Sequence, residues 1–339
     1  MSDLIQAGSP PKRKSWIDAL RAVAMILVIY GHLVPKWIPF FIFTNPVKVT
    51  LFFAITGFVF KNRTRSERDF YCNLFRKLIV PWLVFGALPY VLLMPLKGPA
   101  FTADKLWAVI SGENFWYMPC CIVAEIIWHY STKFTKNPVQ LAVCSFGLCA
   151  LGLLAARTTT LLRTFTVDTA LVAQMFLYIG SFYKNNAKPL IDKSRKKPLG
   201  LAVFLSVYLA LGILSLYLYP GQRIDIHANE YYNLLICFVM IWIGILFLFT
   251  LADNYITRYP KWLLLVGQNT LVIYILHGYV ATVCKKVFAV AGLGVNRVTA
   301  VLITVITTAV CCAVSVAVRH FLPAVFGARS QKGIAHETK

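Results

Sequence analysis

One apolar stretch of the chain, from Trp16 to Leu33, carries three ionisable side chains, Asp18, Arg21 and His32. Its length and composition predict a helix that crosses a membrane, where ionisable groups are costly and commonly serve a function. Arg21 and His32 are eleven residues apart, so they return to nearly the same helix face. At 1.5 Å per residue, roughly 16 Å separates them along the axis. One face therefore presents a guanidinium at one depth and, at another, an imidazole that can act as a base or nucleophile.

Two more ionisable residues lie within later apolar stretches. His277 lies about 15 residues into a predicted helix over 262–284, which brings it to a depth similar to that of His32. Glu125 lies about two turns inside another predicted helix, where a carboxylate must be paired or protonated. Each of these side chains could be catalytic, and each could equally serve helix packing. Similar depth alone does not make two helices neighbours.

Basic residues near one end of the predicted spans could bind an anionic ligand. Arg21 lies one turn from Asp18, a spacing that favours a local i, i+3 ion pair. Alternatively, Arg21 faces the bundle interior and binds an anionic donor such as the phosphates of coenzyme A. Arg76 opens an apolar segment just before Pro81 and could line the same mouth. Ordinary anchoring of a membrane helix by basic residues explains Arg76 equally well.

The composition sets the broad fold class. Of the 339 residues, 58% are hydrophobic and only 14% are charged, and the mean hydropathy is +0.67. These values predict an all-α, polytopic transmembrane helical bundle in contact with membrane lipids. In a soluble protein the net charge of +21 would suggest a nucleic-acid partner. Here the Lys and Arg residues collect between apolar runs, as in membrane proteins, so no nucleic-acid partner is expected.

About ten apolar runs are long enough to span a membrane. They cover residues 16–35, 44–60, 78–95, 114–131, 138–156, 166–183, 199–219, 232–252, 262–284 and 298–320. An even number of spans puts both termini on one side, and most Lys and Arg residues fall on that side, which predicts that it is the cytoplasm. The chain then divides into a cytoplasmic N-terminal tail over 1–15, a transmembrane domain over 16–320 and a cytoplasmic C-terminal tail over 321–339.

No motif indicates a metal site or a tightly bound cofactor. The sequence contains no Walker A loop, dinucleotide-binding fingerprint, HExxH or GxSxG pattern. The nine cysteines are scattered through apolar segments without a CxxC spacing, which is typical of small buried residues. Any chemistry must therefore come from side chains inside the bundle or at its mouths.

Five short motifs, in order along the chain, resemble those of the acyltransferase 3 family of polytopic acyltransferases. The first, at Trp16–His32, contains an Arg and a His separated by ten residues. The second, at Leu51–Phe58, resembles an LFFxxSG helix with Thr in place of Ser, and the third, at Arg76–Pro81, resembles an RLLxP helix entry. The last two are a WFLP-type helix start at Phe115–Pro119 and a YxxH element at Tyr274–His277. One position departs from the pattern, because Asn73 stands where the family often has a second Arg before the helix entry.

The resemblance implies transfer of an acyl group, usually acetyl, from a cytoplasmic acyl-CoA donor to a hydroxyl. Acceptors in the family are commonly sugars of envelope polysaccharides or lipid-linked glycans, so acetyl-CoA and such a carbohydrate are the expected substrates at the cell inner (plasma) membrane. His32 would act as base or acyl carrier, with Glu125 and His277 as further catalytic candidates. The candidates for donor and substrate binding are Arg21, Asp18, Arg76 and Tyr274.

A different class of function uses the same intramembrane charges. A transporter or exporter of an anionic envelope lipid or glycan would need ionisable groups along its pathway. Many transporters show interrupted helices at matching places in two halves of the chain. The glycines at Gly57 and Gly180 lie near predicted helix ends and are poor candidates for such interruptions. The sequence therefore favours the acyltransferase and keeps the transporter as the alternative.

Overall fold

The computed structural model describes residues 14–60, 66–84, 86, 107, 115–159, 161–194 and 197–321. Within these ranges the chain forms helices and no named strand, which confirms the predicted all-α fold. The helices are α1 (Ser15–Leu33), α2 (Ile38–Lys48), α3 (Thr50–Val59), α4 (Glu67–Leu74), α5 (Tyr117–Phe134), α6 (Pro138–Thr158), α7 (Val167–Phe182), α8 (Lys188–Lys193), α9 (Lys197–Leu218), α10 (Leu234–Asn254), α11 (Lys261–Gln268), α12 (Thr270–Val290) and α13 (Arg297–Phe321).

Seven helical segments in the described ranges are long and apolar enough to cross a membrane. They are α1, the pair α2–α3 over Ile38–Val59, α6, α9, α10, α12 and α13. Of the other three predicted spans, 78–95 lies mostly outside the described residues, 114–131 becomes α5, a helix of 18 residues, and 166–183 becomes α7, a helix of 16 residues. The multi-pass membrane architecture therefore stands, whereas the number ten stays a prediction.

Two predicted spans have different boundaries in the structure. The predicted span 44–60 begins earlier, at Ile38, and is divided at Val49 into α2 and α3, although Val49 itself keeps right-handed helical dihedral angles. The predicted span 262–284 is divided at Asn269 into α11 and α12, and α12 continues to Val290. The second change brings Lys285 within a helix instead of a connecting loop, whereas Lys48, already inside the predicted span, lies at the end of α2.

Helices α3 and α7 cross with their backbones in direct contact at two glycines. A methyl group on Gly57 would stand 1.9 Å from the carbonyl oxygen of Leu177, and one on Gly180 would stand 1.8 Å from that of Ala54. Small residues allow this approach, and close backbone packing is a main source of helix association in membranes. The buried helix α7 therefore forms the centre of one half of the bundle.

The first helix is held against α11 in the same way. A methyl group on Gly267 would stand 1.8 Å from the carbonyl oxygen of Asp18. Helices α12 and α13 also pack on α1, so its ionisable face has protein neighbours along much of its length. By contrast, α6, α9 and α13 carry exposed apolar side chains such as Val139, Ile213 and Val298, as expected of lipid-facing surfaces.

The crossing of α3 and α7 predicts a large effect of a small substitution. Gly57→Ala should lower stability by about 1–3 kcal/mol, because the added methyl group forces two backbones apart. Gly147→Ala is the matched control, since a methyl group there has no neighbour within 4 Å and should stabilise the helix by about 0.5–1 kcal/mol. Thermal unfolding in detergent would measure both, and equal Tm values for the two variants would contradict the close crossing.

Candidate active site

A cavity of about 1310 Å³ lies beside α1 and brings together most of the predicted site residues. Its wall includes five of the seven, namely Arg21, His32, Glu125, Tyr274 and His277. These residues come from α1, α5 and α12, which are far apart in the sequence. The fold therefore gathers side chains that the sequence could only relate by depth.

The two histidines face each other across the contact between α1 and α12. The ring centroids of His32 and His277 lie 5.4 Å apart, with their planes inclined at 31°. His32 is exposed to the cavity, whereas His277 is half-buried. The predicted similarity in depth therefore corresponds to a direct pairing of two imidazoles.

A hydrogen bond fixes the tautomer of His277. Its Nδ1 lies 2.5 Å from the backbone carbonyl oxygen of Tyr274, and a carbonyl can only accept a proton. Nδ1 must therefore carry the hydrogen, which leaves Nε2 of the neutral ring with its lone pair available as a base. The hydroxyl of Tyr274 accepts a 3.3 Å hydrogen bond from the backbone N–H of Tyr117, so α5 helps to position this turn.

The first end of the cavity is basic, and we define it by Arg21, Lys77, Gln268 and Arg319. The guanidinium of Arg319 donates a 2.9 Å hydrogen bond to the carbonyl oxygen of Gln268 at the end of α11. Three of these four side chains are cations, so this end favours an anionic group.

Asp18 and Arg21 form the predicted i, i+3 pair, with 3.8 Å between Oδ1 and Nη1. Asp18 is only 2% exposed and is not a wall residue of the cavity, whereas Arg21 is. A buried carboxylate beside an arginine orients the guanidinium. Asp18 is therefore placed to position Arg21, and of the two residues only Arg21 lines the cavity.

Arg76, which was predicted as a possible lining residue of the same mouth as Arg21, is not a wall residue of the cavity. Residues Phe75–Ile79 form a π-helical turn, in which Arg76 is exposed and Lys77 reaches the described wall of the cavity. A π turn shifts the register of the side chains that follow it. Asn73, at the position of the departure from the family pattern, donates a 2.6 Å hydrogen bond to the carbonyl oxygen of Asp69 in its own helix.

The second end of the cavity contains residues that the sequence analysis missed as site residues. We define this end by Lys48, Arg223, Asp225 and Lys285. Neither lysine was predicted as a site residue. Lys48 lies within the predicted span 44–60, and Lys285 lies just beyond the end of the predicted span 262–284. The position of Lys48 inside the apolar run from 38 to 59 could have indicated a site residue, since a charge inside a membrane span is rare without a function.

The segment 219–233 closes this second end and is attached at several points. The buried amide of Asn45 donates a 2.7 Å hydrogen bond to the carbonyl oxygen of Ile224. The ring of His227 stacks on Trp116 with 4.9 Å between centroids. Burial lowers the pKa of His227, although nearby carboxylates act in the opposite direction, so this ring is neutral at neutral pH. The segment is thus a fixed wall that holds Arg223 at the cavity.

Comparison with known proteins identifies the family. The family model described as an acyltransferase domain matches residues 14–316, nearly the whole chain. The chain belongs to the acyltransferase 3 family. Comparison with the curated proteins and with the solved structures found no match. Family membership confirms the resemblance carried by the five motifs and makes this protein a membrane acyltransferase.

The geometry suits acyl transfer. An acyltransferase needs a base near the acceptor hydroxyl and a site that holds an activated acyl donor. The cavity supplies paired imidazoles at one depth and cations at both ends. Within the described residues, no group of three or more His, Cys, Asp or Glu side chains could hold a metal ion.

The attachment of segment 219–233 can be tested at Asn45. Asn45→Ala removes the hydrogen bond to Ile224 and leaves a buried carbonyl unsatisfied, which costs about 1–3 kcal/mol locally. We expect faster amide exchange in residues 219–233, measured by mass spectrometry. The control is Thr44→Ala, because the Thr44 hydroxyl donates a 2.7 Å hydrogen bond to the carbonyl oxygen of Phe40 within its own helix. Unchanged exchange in Asn45→Ala would contradict the attachment.

Proposed function

We propose that this protein is an O-acyltransferase that moves an acetyl group from acetyl-CoA to a hydroxyl of an envelope carbohydrate or lipid-linked glycan. One observation carries the proposal. A single cavity of a family acyltransferase is lined by Arg21 and by the pair His32 and His277. The cavity therefore offers an anion site and a base to the same bound molecules.

The donor would bind with its nucleotide at the first end. Arg21, Lys77 and Arg319 are cations, and guanidinium and ammonium groups bind phosphate oxygens through charge-assisted hydrogen bonds. Arg21 and His32 are roughly 16 Å apart along α1. The extended pantetheine arm of coenzyme A suits such a separation, which would bring the thioester to the imidazoles. Arg76, exposed on the adjoining turn, stays a candidate for a contact outside the cavity.

The reaction would begin with His32 as base. An imidazole nitrogen takes the proton of the acceptor hydroxyl while the hydroxyl oxygen attacks the thioester carbonyl carbon. The tetrahedral oxyanion collapses as the carbon–sulfur bond breaks, and the thiolate of coenzyme A leaves. The imidazolium returns its proton to that thiolate, which gives an acetyl ester and the free thiol. The neutral Nε2 of His277 is the neighbouring acceptor that can stabilise the imidazolium.

A two-step route uses the same residues. His32 attacks the thioester as a nucleophile, the thiolate leaves, and the acetyl group is carried on the imidazole. The acceptor hydroxyl then attacks this acyl-imidazole, with His277 as base. Glu125, in the same cavity wall, is the candidate that tunes an imidazole or contacts the acceptor. Labelling of the protein by acetyl-CoA before acceptor is added, with the label released by neutral hydroxylamine, would indicate the two-step route, because an acyl-imidazole transfers its acyl group readily to nucleophiles.

The proposed orientation places both termini in the cytoplasm and the protein in the inner membrane. The first end of the cavity, near the start of α1, would then face the cytoplasmic pool of acetyl-CoA. The excess of basic residues on the same side as the termini supports this orientation.

Reporter fusions test this orientation directly. A fusion at residue 190, in α8, should report the cytoplasm, and a fusion at residue 225, in segment 219–233, should report the opposite side. A cytoplasmic signal at residue 225 would reverse the proposed donor and acceptor ends.

The paired histidines give the main activity prediction. His32→Asn and His277→Asn should each lower the rate of acetyl transfer roughly 100-fold or more, because each loses a basic ring nitrogen. The asparagine amide at residue 277 can still donate to Tyr274, so the local turn is preserved. The measurement is transfer of labelled acetyl from acetyl-CoA to envelope glycans in membranes.

The control for these variants is His320→Asn, which changes an exposed histidine of α13 that is not a wall residue of the cavity. It should keep the wild-type rate. Normal activity in a correctly folded His32→Asn protein would remove His32 from the mechanism. A wild-type protein that transfers label to no glycan or lipid would favour the transporter alternative instead.

A further inference from the structure

The second end of the cavity concentrates positive charge next to the imidazole pair. Lys48, Arg223 and Lys285 line it, and they come from three separate parts of the chain. Lys48 lies beside Gly31, the residue that precedes His32, and Lys285 lies eight residues, or about two helical turns, after His277 in α12. This grouping lies at the other end of α1 from Arg21, so the first end does not account for it.

Two of these cations, Lys48 and Arg223, lie over the same aromatic ring, that of Phe41. Nζ of Lys48 lies 5.5 Å, and Cζ of Arg223 lies 5.1 Å, from the centroid of the Phe41 ring. Attraction to the ring face offsets part of the repulsion between the two like charges. Gly31 provides the space, because a methyl group there would stand 3.0 Å from Nζ of Lys48. The ammonium group is therefore held beside the residue that precedes His32.

The acidic residue that lines this end, Asp225, forms hydrogen bonds within its own turn. Oδ1 of Asp225 accepts hydrogen bonds of 3.0 Å from the N–H of His227 and 3.2 Å from that of Ala228. Among the described wall residues of the second end, one carboxylate thus stands against three cations. The neutral His227 adds no charge. A net positive charge remains at this end of the cavity, where Lys48 and Lys285 are half-buried on apolar helices and Arg223 is exposed on segment 219–233. Such a positive end favours the binding of an anionic group.

We propose that the second end binds an acceptor whose reactive hydroxyl is carried close to an anionic group, either a phosphate or a carboxylate. This inference rests on the proposed acyltransferase function. The anionic group would sit among Lys48, Arg223 and Lys285, and the hydroxyl would then lie at His32 and His277. The cations would select acidic or phosphate-linked glycans over neutral ones, because a neutral acceptor leaves them without a counter-charge.

The experiment determines the charge of the natural product. Membranes from the source organism receive labelled acetyl-CoA and the wild-type protein, the remaining donor is removed, and the labelled product is applied to an anion exchanger at neutral pH. The acetylated acceptor should be retained. Mild acid that cleaves sugar–phosphate bonds releases the charge if it is a phosphate, and carbodiimide amidation removes it if it is a carboxylate.

Substitutions at the second end test whether its cations bind the anionic group of the acceptor. Lys48→Met, Arg223→Gln and Lys285→Met should each raise the KM for the acceptor about tenfold or more and leave the KM for acetyl-CoA unchanged. Lys286→Met is the matched control, because it removes the same charge from the next, exposed position of α12. Lys48→Arg and Lys285→Arg keep the charge and should restore most of the affinity, which separates recognition from folding.

Three outcomes would contradict the proposed anionic acceptor, and they differ in what they imply for the acyltransferase proposal. A labelled product that passes through the exchanger overturns the anionic acceptor and leaves the acyltransferase proposal intact. A tenfold rise in the KM for acetyl-CoA in the Lys48, Arg223 or Lys285 variants assigns these cations to the donor and overturns the inference. Absence of any labelled product in the wild type contradicts the acyltransferase proposal and this inference together.

Discussion

The cost of placing charge in a lipid environment is the constraint on which the arrangement of this protein depends. Charged side chains in membrane-spanning helices must face protein or a water-filled cavity. The cavity beside α1 meets that requirement for side chains of α1, α2 and α12 together. Because Arg21, His32, Lys48 and Lys285 line this one cavity, its charge suits polar and anionic molecules. The same constraint thus explains both the architecture and the chemistry.

Backbone contact at glycines gives this site its rigid support. Gly267 lets α11 meet α1 at Asp18, and the pairing of Asp18 with Arg21 then fixes the guanidinium toward the cavity. On the other side, Gly57 and Gly180 lock α3 against α7. Catalytic groups need positions fixed to within a fraction of an ångström, and helices packed at this distance provide such positions better than loops do.

Much of this site could be predicted from the sequence, for reasons that differ between residues. Arg21 and His32 share one helix, so helical geometry alone relates them. The pairing of His32 with His277 could not be derived, because it depends on which helices are neighbours and not on depth. Lys48 lies within the predicted span 44–60, but nothing in the sequence indicates that its side chain lines the same cavity as His32. Arg76 is not a wall residue because a π turn, which no propensity indicates, brings Lys77 to the wall instead.

The charges along the cavity have a consequence for the membrane as a permeability barrier. Water between the two ends of α1 would offer protons and metal ions a route through the bundle and dissipate the gradients that the membrane maintains. The described wall carries six basic residues and two acidic ones. A positive potential along such a route opposes the entry of cations and protons, as basic residues and helix dipoles do in water-selective pores. The side chains proposed to bind anionic substrates would thereby also oppose the leakage of cations through the bundle.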